Sequence, residues 1–77
     1  MENQQQKPLS RVDQGQTVTI VSIEAGRGLK SRLASMGLLS NTVITIISNK
    51  QPGPFVINVK GAKMMLGRGM ADKIMVK

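Results

Sequence analysis

The chain has 77 residues, carries eleven Lys and Arg against four Asp and Glu for a net charge of +7, and contains no Cys, His, Trp or Tyr. That length holds one small domain, which buries about 60% of the surface its unfolded chain exposes. The inventory excludes disulfides and thiolate metal sites, removes the usual general base and thiol nucleophile, and offers no apolar run near the ~20 residues of a membrane span.

Taken in chain order, residues 1–8 read as a polar, mobile tail, with no apolar stretch for a secretory signal. Residues 9–77 form the folded domain. Asp13-Gln14-Gly15 is a turn signal, and the β-branched run at 17–23 behind it predicts a strand. Ala25-Gly26-Arg27-Gly28 breaks the regularity. Leu29, Leu33 and Met36 then recur at helical spacing, predicting a short helix over 29–36 with one apolar side. Gly37 supplies the left-handed residue that ends it, and Leu38 is placed to close over Leu33 in a Schellman-type stop. Residues 42–48 are the strongest strand pattern. Gln51-Pro52-Gly53-Pro54 follows the type II turn pattern, and the paired strand occupies 55–59. A fourth short strand is predicted at 63–66 and a single helical turn at 70–72. Residues 74–76 close the sheet.

Five short strands with one inserted helix make a mostly β fold, a small five-stranded SH3-like barrel. Alternation puts Val18, Ile20, Ile44, Ile46, Ile57 and Val59 on related, inward faces. Val43, Ile47 and Val56 are left without an interior role. Either the helix covers them, as small domains tend to hide such patches, or they form an exposed apolar patch. The core must be aliphatic, because Phe55 is the only aromatic residue.

Chemistry is sparse. The carboxylates Glu2, Asp13, Glu24 and Asp72 lie far apart, no phosphate-binding loop occurs, and no serine has a base beside it. Catalysis is therefore not expected, and neither is a cofactor. Fe(II) favours imidazole and carboxylate ligands, and six methionines offer thioethers that suit Cu(I) better. Met64 and Met65 should point to opposite faces of a strand, and Met36, Met70 and Met75 should fill gaps at or near the core. No metal site is assigned. The positive charge favours anionic neighbours. With Phe55 as the single aromatic residue and assigned to the core, however, no platform for base stacking is left, and scattered phosphate contacts give only weak, salt-sensitive nucleic-acid binding. The same lack removes the aromatic groove that SH3 domains use for proline-rich peptides.

Arg27, Lys30 and Arg32 are the densest basic cluster, and Leu39 follows the helix stop as an apolar residue without a core role. A basic rim around an apolar centre is how many interfaces are built. Arg27, Lys30, Arg32, Met36 and Leu39 are thus the candidate partner-binding residues.

The stretch Arg32-Leu33-Ala34-Ser35-Met36-Gly37-Leu38-Leu39-Ser40-Asn41 resembles the Arg-Leu-x-x-Met-Gly-Leu-x-x-Gly signature of the FeoA family, small cytoplasmic partners of bacterial ferrous-iron transport. Asn41 stands where the family often has glycine, and Asn is the next-best residue for a positive φ. Gly53-Pro54 with Val56-Ile57-Asn58-Val59 is similar to the family's central hairpin. Leu66-Gly67-Arg68, Met70-Ala71 and Lys73-Ile74-Met75-Val76 are similar to its closing segment. The likeness runs from Leu9 to Val76. It implies a cytoplasmic, non-enzymatic accessory module of ferrous-iron transport. The implied partner is a FeoB-like membrane transporter with a cytoplasmic GTP-binding domain, and the chain reaches the membrane only through that partner. No arginine finger for a partner's nucleotide is identifiable, although Arg27, Arg32 and Arg68 are each formally eligible. The module also resembles the C-terminal SH3-like domain of iron-dependent repressors. Two alternatives therefore stand beside the first: a regulatory domain of a metal-dependent repressor type, and a basic RNA-associated barrel.

Overall fold

The computed structural model describes residues 6–50 and 53–77. Six strands and two helices follow one another: β1 Lys7–Pro8, β2 Thr17–Ile23, α1 Arg27–Ser35, β3 Val43–Ser48, β4 Phe55–Val59, β5 Ala62–Leu66, α2 Arg68–Ala71 and β6 Ile74–Val76. A 3-10 turn at Leu9–Arg11 sits between β1 and β2. The strands form one antiparallel sheet in the order β1-β6-β2-β3-β4-β5. β2, β4 and β6 have the bounds that the sequence predicts.

Three differences have local causes. Lys7 and Pro8, inside the segment read as tail, pair with Val76 and Met75 of β6, so the sheet begins before Leu9. Pro suits this position, because an edge strand leaves its missing N–H without consequence. The helix starts at Arg27 rather than at residue 29. The Lys30 N–H reaches the Gly26 carbonyl at 3.0 Å and closes the first turn across Gly28. At the other end Met36 is the cap residue, with φ −92° and ψ 3°, and not part of the apolar stripe. It is 37% exposed.

The helix stop is a full Schellman motif. The Leu38 N–H donates to the Leu33 carbonyl and the Gly37 N–H to the Ala34 carbonyl, each at 2.9 Å. Gly37 holds φ at +90°. Leu33 and Leu38 are both fully buried, which is the apolar contact that accompanies this motif. The chain then turns through Asn41 at φ +72° and returns to β2. There the Asn41 N–H meets the Ile20 carbonyl at 2.7 Å. β4 and β5 are joined by a two-residue turn, Lys60–Gly61, with φ of +52° and +86°. Positive φ at both positions is the type I′ pattern, whose twist matches a hairpin.

Strand alternation fills the interior as predicted. Ile20, Ile44, Ile46, Ile57 and Val59 are buried around Phe55, joined by Leu9, Val12, Leu33, Leu38 and Ile74, and Val18 packs against them. Each such side chain contributes about 1.5–3 kcal/mol by leaving water. Met64 and Met70 pack on the core, while Met65 on the opposite face of β5 is 70% exposed. The helix cover for the outer apolar residues does not form over Val43, which stays 56% exposed. α1 instead lies beside the far end of β2. Ile47 and Val56 are half-buried, and Val56 sits across from Met65 in the β4–β5 pair. The Gln51–Pro54 turn includes residues 51 and 52, which lie outside the described residues.

Candidate functional site

A groove of about 240 Å³ opens between α1, the end of β2 and the loop after the helix stop. Its walls are Ile23, Ala34, Leu38 and Leu39, with Ser22 and Ser40 between them and Lys30 at the rim. Each wall follows from local structure. Lys30 and Ala34 are four residues apart and share a helix face. Ser22 and Ile23 follow the bulge that shifts the β2–β6 register after Ile20. The Schellman stop turns Leu38 inward and leaves Leu39 52% exposed at the groove mouth.

The loop wall is tied at several points. The Ser40 hydroxyl donates to the Val21 carbonyl at 3.1 Å. The Thr42 hydroxyl donates to the Gly37 carbonyl and accepts from the Leu39 N–H, each at 3.4 Å. Across the groove the Ser22 hydroxyl donates to the Glu24 carboxylate at 2.9 Å. Both serine hydroxyls that line the groove therefore give their protons to the protein itself.

The five residues singled out from the sequence fall into two sets. Lys30 and Leu39 line the groove. Arg27, the first residue of α1, is exposed and lies three before Lys30 on the same helical face. Arg32 lies about 200° round the helix from Lys30, beyond the buried Leu33, and faces away from the groove. Met36 caps the helix outside it. Sequence reading missed Ile23, Ala34 and Leu38. The signal was the small side chain of Ala34 at i+4 from Lys30, since a larger residue there would fill the space. The side chains of Arg27, Lys30 and Arg32 have no hydrogen-bond or ion-pair partner among the described residues.

Arg68 has a different role. Its guanidinium donates to the Asn49 side-chain oxygen at 2.7 Å and to the Lys50 carbonyl at 2.9 Å. It also lies 5.8 Å from the centre of the Phe55 ring. Asn49 in turn donates to the Val12 and Ser10 carbonyls at 2.8 and 3.3 Å. Arg68 thus latches α2 and the 3-10 turn to the segment after β3, and is not available to reach outward. The described residues contain no group of three His, Cys, Asp or Glu side chains placed to share a metal ion. No helix among them is long and apolar enough to cross a membrane.

Comparison with known proteins decides the family. The family model for the FeoA domain matches residues 7–77. The chain belongs to the FeoA family. A Methanocaldococcus jannaschii protein that carries the name Fe(2+) transport protein A is 41% identical over 70 residues, covering 91% of this chain and 84% of that one. The crystal structure of an iron uptake regulatory protein, FeoA, superposes with a TM-score of 0.88 at 32% identity over 95% of this chain and 97% of the other. A manganese-dependent transcriptional repressor shares the fold with a TM-score of 0.83 at 22% identity, over 92% of this chain and 40% of its own. The SH3-like architecture is thus common to FeoA proteins and to part of these repressors. The FeoA match begins at Lys7, where β1 begins.

Proposed function

We propose that this FeoA-family protein is a non-enzymatic accessory module of ferrous-iron transport that docks on the cytoplasmic part of a FeoB-type transporter and modulates it. The observation that carries this reading is a preformed apolar groove with an unneutralised basic rim on a chain of the FeoA family. Names given to relatives point to Fe(2+) transport and iron uptake. Iron is cargo in this scheme, handled by the transporter. The module acts by binding one transporter conformation more tightly than another, which shifts the population by that difference in affinity. Steering by Arg27 and Lys30 raises the association rate, and the apolar contact at Leu39 governs dissociation.

The test is an NMR titration of the labelled chain with the transporter's soluble cytoplasmic domain. Shifts are expected at 22–23, 30–34 and 38–40. Leu39→Ala should keep the melting temperature and weaken binding about tenfold, as for a central interface anchor. Shifts confined to 60–73 would place the docking face elsewhere, and no shifts at all would remove the reading.

A further inference from the structure

We infer that the α1–β2 groove receives one apolar side chain from a partner polypeptide segment whose flanking residues are carboxylates; this rests on the docking reading and specifies what docks.

Size is the first argument. At about 240 Å³ the groove is smaller than the ~300–1,000 Å³ of small-molecule sites, and open on one side. That volume suits one inserted side chain better than a drug-sized molecule. The second argument is the chemistry of its walls. Ile23, Ala34, Leu38 and Leu39 are apolar, and the hydroxyl protons of Ser22 and Ser40 are already given to Glu24 and Val21. With four apolar walls and only two hydroxyl oxygens left to accept, the groove favours a wholly apolar anchor, Leu, Ile, Met or Phe.

Charge defines the flanks. Lys30 stands at the rim, and Arg27 lies on the same helical face, both exposed and neither side chain with a partner among the described residues. α1 has no acidic residue in its first turn and no side-chain cap at Gly26, so nothing on the helix offsets this charge. Glu24, held by Ser22, is the carboxylate on the strand side. The flanking acids therefore belong over the helix side of the groove.

Other occupants fit less well. A second copy of a chain with net charge +7 meets it with like charge. An anionic lipid surface is usually met by a broad apolar face with aromatic anchors, and this rim has Leu39 above a concavity and no aromatic residue. The tied loop leaves the groove formed before binding, which lowers the ordering cost of a weak, short contact.

Two arms test the proposal. In the first, the labelled full chain is titrated with the peptide acetyl-Ser-Glu-Asp-Leu-Glu-Asp-Ser-amide, with the same peptide carrying Ser for Leu, with one carrying Lys for every acid, and with vesicles of equal phosphatidylglycerol and phosphatidylcholine. The acidic Leu peptide should shift the amides of Ser22, Ile23, Ala34, Leu38 and Leu39, and the other two peptides should bind about tenfold more weakly. Equal binding of the Ser peptide, shifts outside the groove, or groove shifts from vesicles alone would overturn the proposal. In the second arm the transporter's cytoplasmic domain is titrated against wild type, Ala34→Leu and Lys30→Glu, each checked by thermal melt. Both variants should weaken binding about tenfold, Ala34→Leu by filling the groove and Lys30→Glu by reversing the rim. If the domain binds all three alike, the groove proposal falls, and docking on the transporter stands only through another face of the chain. If it binds none while the peptide seats in the groove, the docking reading falls and the groove chemistry stands.

Discussion

Gly37 and Arg68 show how much single residues fix. A Cβ built on Gly37 meets nothing within 4 Å, so the site has room for a side chain. The constraint is the φ of +90°, which a β-branched residue resists. Gly37→Val should therefore cost about 1–2 kcal/mol, read as a lower urea midpoint. Gly37→Asn should cost less, because Asn takes a positive φ more readily, as Asn41 does at +72°. Identical midpoints for wild type and the Val variant would sink the helix-stop argument. Arg68 works through shape as well as charge. Two hydrogen bonds from one planar fork, with Phe55 close by, hold the segment after β3 against α2. Lysine keeps the charge but cannot reproduce the fork. Arg68→Lys should destabilise by about 1–2 kcal/mol and speed amide exchange at residues 49–50. A variant that melts and exchanges like wild type would show the latch to be dispensable.

Among the elements, strands were legible wherever alternation and β-branching agreed, as in β2 and β4. The helix stop was legible because three residues in a row, Met36-Gly37-Leu38, each have a distinct place in a Schellman motif. The helix start was not, since Gly26 and Gly28 read as a break, yet the first turn closes across them. The Lys60–Gly61 turn was missed for a related reason. Asn-Gly and Asp-Gly are the usual type I′ pairs, and Lys at φ +52° is uncommon. Here Asn58 helps, accepting the Gly61 N–H on its side chain at 3.0 Å. Met36 followed the 3.6-residue period on paper, but the helix ended one residue before it. The groove was half legible. Its charged rim and exposed Leu39 stand out in the sequence, whereas Ile23 and Ala34 gain their role only when β2 is brought against α1.

The whole molecule is governed by its uncompensated charge. Eleven basic residues face few acids, and two of those acids, Glu24 and Asp72, accept hydrogen bonds from Ser22 and Ser10. Binding to RNA or duplex DNA should accordingly be weak near physiological salt and fall steeply as salt rises, in a filter-binding or anisotropy series. Sequence-selective nanomolar binding that survives high salt would favour the RNA-associated reading instead. The pairing of β1 with β6 has a separate consequence, for the order in which the fold assembles. β3, β4 and β5 are successive hairpin partners that close short loops, while Lys7 finds Val76 across almost the full length of the chain. Loop-closure entropy makes that end-to-end pair the last to be rewarded in folding. The β3–β5 meander is thus the natural nucleus and the β1–β6 seam the final step. A short linker joining residue 77 to residue 6, with new ends opened elsewhere, would turn the most distant contact of the fold into one of its most local.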